Sequence, residues 1–324
     1  MTQRAEMERS MGQLLDGAVS GDEALAYLTR LDITRINAAQ LAGAVDAVMA
    51  RAKPFPTHPE ALDCCGTGGD GRSTYNISTA AALVVAARGV KIAKHGNRAI
   101  TSQSGSADVL EALGMYTNIT PDHAAKILED VGICFLYAPN FHPGFARVAP
   151  IRKAIGKRTI FNLLGPLCNP ARVKRQLIGV FAAEYSALIA ETAQLLGSTH
   201  VMVVHGEDGT DELSITGNTH VSHLQDGSIL YSSIRPQDAG LTPQDGRALI
   251  GGNATQNARA LRDVLDGLES PYADAVLLNA AAMLMLADKA PTLHEGVALA
   301  KSTIARGEAR KKLEQLIEAS FPDA

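Results

Sequence analysis

Residues 63–79 read Asp-Cys-Cys-Gly-Thr-Gly-Gly-Asp-Gly-Arg-Ser-Thr-Tyr-Asn-Ile-Ser-Thr, with four glycines from Gly66 to Gly71. Glycine lacks a Cβ and tolerates positive φ, so such a loop can turn consecutive N–H groups toward one anion. Ser78 and Thr79 stand at the start of the apolar run 80–87, where a helix offers orphan N–H groups and the positive end of its dipole. The chemistry this suits is phosphate or diphosphate binding. The competing reading is a tight strand-to-helix turn, because the loop is neither GxGxxG nor GxxxxGK[ST]. Thr74, Asn76, Ser78 and Thr79 around the helix start favour the anion site. Asp70 would repel phosphate; it suits a sugar hydroxyl, or a role in locking the loop.

Three further groups carry possible chemistry. Lys94-His95-Gly96-Asn97-Arg98 leaves an apolar strand, so Lys94 can offer a point charge to phosphate and Asn97 a donor and an acceptor. A solvated turn is the alternative, and His95 suits a structural hydrogen bond as well as proton transfer. Asp211-Glu212 follows a strand and a glycine-containing turn, where adjacent carboxylates can reach one or two Mg2+ ions that also touch diphosphate oxygens. Acidic pairs in loops are commonly just solvated, but a bound diphosphate needs its charge neutralised. Arg147, Arg152, Lys153, Lys157 and Arg158 form either an exposed helix face or the source of one arginine that grips a carboxylate. Periodicity does not choose which. His142, Cys64 and Cys65 lack the partner spacing of a metal site or nucleophile dyad and read as structural or accessory.

The elements that position these groups follow from hydrophobic period and punctuation. Apolar residues at i, i+3, i+4 spacing predict helices over 7–18, 21–31 and 37–52, with no strand pattern between them. A small helical domain is expected over 1–56, completed by part of 141–170, ahead of an α/β domain over 57–324; the proline-rich stretch 53–59 marks the boundary. Strands are expected at 61–65, 90–93, 133–137, 176–181 and 200–204, with helices at 76–88, 106–113, 121–131 and 184–196. Short strands over 214–235 and helices over 254–265, 272–286 and 293–318 complete the chain. Such alternation predicts an α/β fold with a mostly parallel central sheet, and ligands bind at the carboxyl ends of its strands. The segment 141–169 interrupts the alternation.

Composition excludes several classes. The 324 residues are 46% hydrophobic and 20% charged, with a formal net charge of -4, which argues against a general nucleic-acid binder. The opening Met1–Arg9 has no apolar core and no run reaches spanning length, so neither signal peptide nor membrane partner is expected. Cys64, Cys65, Cys134 and Cys168 have no CxxC spacing and fit free thiols in a cytoplasmic protein.

Gly66–Asp70, Asn76–Thr79, Lys94–Arg98, Gly105–Gly114, Asn162–Pro166 and His205–Gly209, taken in order along nearly the whole chain, resemble anthranilate phosphoribosyltransferase. The resemblance implies a homodimer built through the helical domain and a fold of the nucleoside phosphorylase/phosphoribosyltransferase type. The implied reaction belongs to tryptophan biosynthesis and joins anthranilate to 5-phosphoribosyl 1-diphosphate (PRPP), with Mg2+ (two ions). It implies PRPP contacts from Gly66, Gly69, Asp70, Thr74, Asn76, Ile77, Ser78, Thr79, Lys94, His95, Gly96, Asn97, Arg98, Ala99, Ile100, Thr101, Ser102 and Ser106. It implies anthranilate contacts from Gly66, Asn97 and Arg152, and metal ligands Ser78, Asp211 and Glu212. Rival readings are a pyrimidine nucleoside phosphorylase, which would need no acidic metal loop, and a non-catalytic relative that binds nucleic acid.

Overall fold

The computed structural model describes residues 1–99 and 103–322; the expected PRPP contacts Ile100, Thr101 and Ser102 lie outside the described residues. The chain opens with α1 (Gln3–Asp16), α2 (Gly21–Arg30) and α3 (Ala38–Met49). Their starts are chemically marked: Thr2 caps α1, while Ser20 with Glu23 and Asn37 with Gln40 form reciprocal capping boxes. The Thr2 cap starts α1 earlier than the apolar spacing alone indicates.

There follow β1 (Leu62–Gly66), α4 (Ile77–Ala87), β2 (Ile92–Gly96), α5 (Ser106–Ala112), α6 (Pro121–Val131) and β3 (Ile133–Tyr137). The interruption then consists of α7 (Ala138–Phe141), α8 (Gly144–Ile155) and α9 (Phe161–Leu164). After it come β4 (Arg175–Gly179), α10 (Tyr185–Leu195), β5 (His200–Gly206), β6 (Thr219–Gln225) and β7 (Ser228–Ile234). Helices α11 (Ala254–Leu265), α12 (Pro271–Leu286), α13 (Leu293–Ala305) and α14 (Glu308–Ser320) end the chain.

Among the described residues, seven strands form one sheet in the order β3-β2-β1-β4-β5-β6-β7. The first five pair in parallel and the β6–β7 hairpin closes one edge antiparallel. That hairpin turns on Asp226 and Gly227, both at positive φ, as a two-residue Asp-Gly turn requires. From β1 the chain winds outward to β2 and β3, then returns to add β4 and β5 on the other side. The winding direction therefore reverses between β1 and β4, the point at whose carboxyl ends open α/β sheets have their ligand crevice.

Period-two alternation divides the sheet between two apolar clusters. Leu62, Cys64, Met202 and Val204 pack with α4, α12 and α14, whereas Ile178, Val201 and Val203 pack with α10 and with the residues of α1–α3, α8 and α9. Helix α12 lies between α4 and α13 and is buried on nearly all sides, as its uniformly apolar sequence requires. No helix among the described residues is long and apolar enough to cross a membrane.

Two differences from the expected elements are informative. The helix expected over 293–318 is two helices, because Gly307 at φ 69° ends the first and redirects the chain. Strand β2 runs through Lys94 and His95 instead of stopping before them: in parallel register, Lys94 lies opposite Phe135 and His95 opposite Leu136. These polar residues sit inside a sheet because buried partners exist for them. The Asp63 carboxylate accepts from the His95 N–H at 3.0 Å, and Lys94 Nζ donates to the Cys64 carbonyl at 2.6 Å.

Candidate active site

The glycine loop leaves β1 at the reversal point, as its sequence demands: Gly68, Gly69 and Gly71 all take positive φ, and so does Ser73. Its start is tied to β4, since the Thr67 N–H donates to the Gly179 carbonyl at 2.8 Å and Thr67 Oγ1 accepts from the Phe181 N–H at 3.0 Å. Its end is held by residues 249–251, through a bridge between Thr74 and Ile250 and a bond from the Tyr75 N–H to the Leu249 carbonyl. Asp70 Oδ1 accepts from the Arg72 N–H at 3.1 Å, a bond that ties the loop to itself. Its Oδ2 is buried without a hydrogen-bond partner.

Asn76 stands at the N-cap of α4 yet makes no side-chain cap bond. Its amide is held from outside: Oδ1 accepts from Asn257 Nδ2 at 3.1 Å, and Nδ2 donates to the Ser104 carbonyl at 3.4 Å. The cap side chain thus leaves the first turn uncovered: the Ile77 N–H turns back to the Tyr75 carbonyl at 2.8 Å, and the N–H groups that follow it are placed where an anion can meet them. Ser78 Oγ accepts from Lys94 Nζ at 3.3 Å. Lys94 is buried at 3% exposure; burial opposes its charge, but Cys64, Asp63 and Glu212 outweigh this and hold it above the ordinary lysine value. It therefore lies beneath α4, against Ser78 and the strand end, with its ammonium buried.

Asp211 and Glu212 arrive on the loop after β5. Asp211 Oδ2 accepts from the Gly68 N–H at 3.0 Å, and Glu212 lies near Lys94 and the Ser78 backbone, both of which favour its charged form. Burial, then the charge of Asp70, pushes Asp211 up to about 7; burial, then the charge of Asp211, pushes Glu212 up to about 8. Three carboxylates crowding one crevice form a hard oxygen donor set whose repulsion a divalent cation would relieve. Among the described residues no three acidic, histidine or cysteine side chains form a ready cage, so an ion here would also draw on oxygens from outside the protein. That is how Mg2+ is ordinarily bound, through one or two carboxylates together with substrate phosphates.

These raised values set a pH dependence. A carboxyl held protonated in the folded state but ionised in the unfolded chain lowers stability as pH rises, here between roughly pH 4 and pH 8. In chelator, the wild-type melting temperature should fall across that window, and Asp211→Asn with Glu212→Gln should flatten the fall. Equal falls in both proteins would contradict the carboxylate crowding.

Other expected site residues fall around the neighbouring strand end. Gly96 closes β2, where a Cβ would strike Ser106 Oγ and the Phe135 ring. Asn97 folds its side chain onto the Arg98 N–H at 2.7 Å, while its carbonyl accepts from Ser106 Oγ at 3.3 Å. Arg98 is engaged by Tyr137, Asp108 and Glu111 at 3.1, 3.2 and 2.7 Å, and the Ala99 N–H by Asp108 at 2.9 Å. These contacts pin the loop onto α5. His95 faces His142, with ring centroids 5.3 Å apart; burial lowers them to about 3 and about 4, so both are neutral.

Arg152 lies in the last turn of α8 with its guanidinium 5.6 Å from the Phe161 ring centre. Burial lowers its pKa, and no hydrogen bond or ion pair to its guanidinium occurs among the described residues. A half-buried guanidinium with open donors is suited to an incoming carboxylate.

The sequence reading missed Gly179. It pairs in register with Gly66 across β1 and β4, and Asp211 lies over both: a Cβ on Gly179 would overlap the Asp211 carbonyl, and one on Gly66 the Asp211 carboxylate. The available signal was a second strand ending in glycine beside the first, hidden because the strand was expected to continue to 181.

Comparison with known proteins gives a consistent set of relatives. The glycosyl transferase family, a/b domain, matches residues 58–310. The anthranilate phosphoribosyltransferase of Novosphingobium aromaticivorans is 48% identical, covering 98% of this chain and 96% of its own. That of Rhodopseudomonas palustris is 45% identical over 98% and 94%. Among solved structures, the Thermus thermophilus enzyme superposes with a TM-score of 0.93 at 42% identity, over 98% of this chain and 95% of its own. The Saccharomyces cerevisiae enzyme in complex with PRPP and Mg gives 0.90 at 31%, over 98% and 93%; in complex with 4-fluoroanthranilate it gives 0.89 at 29%, over 98% and 92%.

Proposed function

The chain belongs to the anthranilate phosphoribosyltransferase family, and on that premise we propose that the β1/β4 crevice holds PRPP and Mg2+, with anthranilate reaching it from the α8 side. The reaction transfers the phosphoribosyl group of PRPP to the anthranilate amine, giving N-(5-phosphoribosyl)anthranilate and diphosphate, in tryptophan biosynthesis. The C1–O bond to diphosphate breaks, the C1–N bond forms on the opposite face, and the amine gives up a proton. The aromatic amine is already a nucleophile, so no side chain needs activating. What remains for the protein is positioning and stabilisation of the departing charge.

In this reading the glycine-loop N–H groups, the first turn of α4, Thr74 and the residues from Lys94 to Ser106 surround PRPP. Asp211, Glu212 and Ser78 hold Mg2+, one ion or two, which when bound supplies positive charge to the leaving diphosphate. Lys94 keeps Ser78 and the end of β1 in place beneath it. Gly66 and Asn97, at adjacent strand ends, and Arg152 receive anthranilate, with Arg152 on its carboxylate. The observation that carries this is the meeting of the glycine loop, the α4 N-terminus and the acidic pair at the carboxyl ends of β1 and β4, with the Gly68 N–H donating to Asp211 and Glu212 beside Ser78 and Lys94.

The direct test follows loss of anthranilate fluorescence with PRPP, with and without Mg2+. Turnover that needs both PRPP and Mg2+ is expected; turnover with inorganic phosphate and a nucleoside, indifferent to Mg2+, would overturn the reading. Arg152→Ala should raise the KM for anthranilate roughly tenfold or more with a small change for PRPP. A change confined to the PRPP KM would remove Arg152 from the anthranilate site. We further propose a cytoplasmic homodimer joined through the helical domain of residues 1–56 and part of 141–170. The family resemblance supports this, and light scattering of the eluted protein tests the dimer.

A further inference from the structure

Arg158 lies two residues beyond Gly156, the left-handed glycine that ends α8. Its guanidinium sits 4.0 Å from the centre of the Phe181 ring, and its Nη2 donates to the Gly69 carbonyl at 2.5 Å. Phe181 is itself buried, and its N–H holds Thr67. One residue after β4 thus anchors the glycine loop twice: directly at Thr67 through its backbone, and at Gly69 through the arginine stacked on its ring. The opposite side of the loop is held by Gly68 donating to Asp211. Gly69 itself is at φ 75°, a left-handed geometry that favours glycine, which has many alternatives in a free chain, so a fixed carbonyl at this point restricts the whole turn.

We propose that Arg158 is a positioning residue for the reaction, a latch that fixes the glycine loop in its PRPP-receiving shape and ties it to the segment carrying Arg152. The planar guanidinium suits this because it can stack and donate at once, which an ammonium cannot do. The latch lowers the ordering cost of PRPP binding, so its loss appears in PRPP affinity before it appears in chemistry. This rests on the assignment of residues 66–79 as the PRPP loop.

Arg158→Met, Arg158→Lys and Phe181→Leu, each in the full-length enzyme, test the proposal. Arg158 is solvent-exposed, so its variants should melt with the wild type. Arg158→Met is expected to raise the KM for PRPP roughly tenfold with kcat nearly unchanged. Arg158→Lys should behave like Met, and Phe181→Leu, which keeps the arginine but removes its platform, should show a smaller rise. The independent readout is tryptic nicking after Arg72, exposed in the same loop, in the absence of substrates. Arg158→Met should be nicked several-fold faster than the wild type, and PRPP with Mg2+ should protect both. Recovery of wild-type KM by lysine would show a general charge effect and overturn the latch. Unchanged KM and nicking rate in Arg158→Met would overturn it equally. Failure of PRPP with Mg2+ to protect the wild type would instead defeat the loop assignment on which the proposal stands.

Discussion

Replacing Asp211 and Glu212 together by alanine is expected to lower kcat on the order of 10^3-fold or more while the fold survives. The positive groups of the crevice are poorly placed to take over. Lys94 is committed to the Cys64 carbonyl and Ser78, and Arg98 to Tyr137, Asp108 and Glu111. The glycine loop and α4 would still offer N–H groups to PRPP, so binding should weaken less than turnover does. Asp211→Asn separates two roles of one residue, because the amide oxygen can still accept from the Gly68 N–H while the charge is gone. If Asp211 serves mainly to shape the loop, Asn should be mild and Ala severe; if it serves the metal, both should be severe. We expect the second pattern, read as kcat across a Mg2+ titration, with single-turnover rates separating chemistry from product release. Near-normal turnover of the double variant at limiting Mg2+ would remove the pair from the mechanism.

The same residues show how far the chain could be read before its structure was known. The glycine loop was legible because it adopts a rare local geometry: positive φ at Gly68, Gly69 and Gly71 can be anticipated from residue type alone. The parallel sheet was legible from alternation, since crossover helices must separate parallel strands. Lys94 was found but misplaced, onto a loop, because a lysine in mid-strand looks forbidden until its buried partners, the Cys64 carbonyl and the nearby Asp63, are in view. Those partners lie some thirty residues away, and local pattern carries no record of them. Arg98 shows the same dependence on distant partners: its donors meet Asp108 and Glu111 of α5 and the Tyr137 hydroxyl, which its place after β2 does not reveal. Arg158 stayed undistinguished within a basic cluster because what sets it apart, the Phe181 ring and the Gly69 carbonyl, is contributed by other segments. Long-range pairing decided each of these.

Gly179→Ala and Gly66→Ala should both abolish most activity, by different routes that separate stability from catalysis. The two glycines are partners across β1 and β4, and Asp211 passes directly over them. At Gly179 an added Cβ would overlap the Asp211 carbonyl, with its Cβ also close at 3.1 Å. Backbone cannot swing away as a side chain can, so the 207–213 loop must shift or β4 must bend. Overpacking of this kind typically costs about 1–3 kcal/mol, and here it also displaces the neighbouring Glu212 from its place beside Ser78 and Lys94. At Gly66 the added Cβ would meet the Asp211 carboxylate, which can rotate. The fold should therefore tolerate Gly66→Ala, while Asp211 loses both the Gly68 N–H and its aim into the crevice. Gly179→Ala is predicted to lower the melting temperature and kcat together, Gly66→Ala to lower kcat with little change in melting. The Mg2+ concentration needed for half-maximal activity should rise in both. A Gly179→Ala protein with wild-type melting and turnover would show that the loop does not depend on this close approach, and the placement of Asp211 would need another cause.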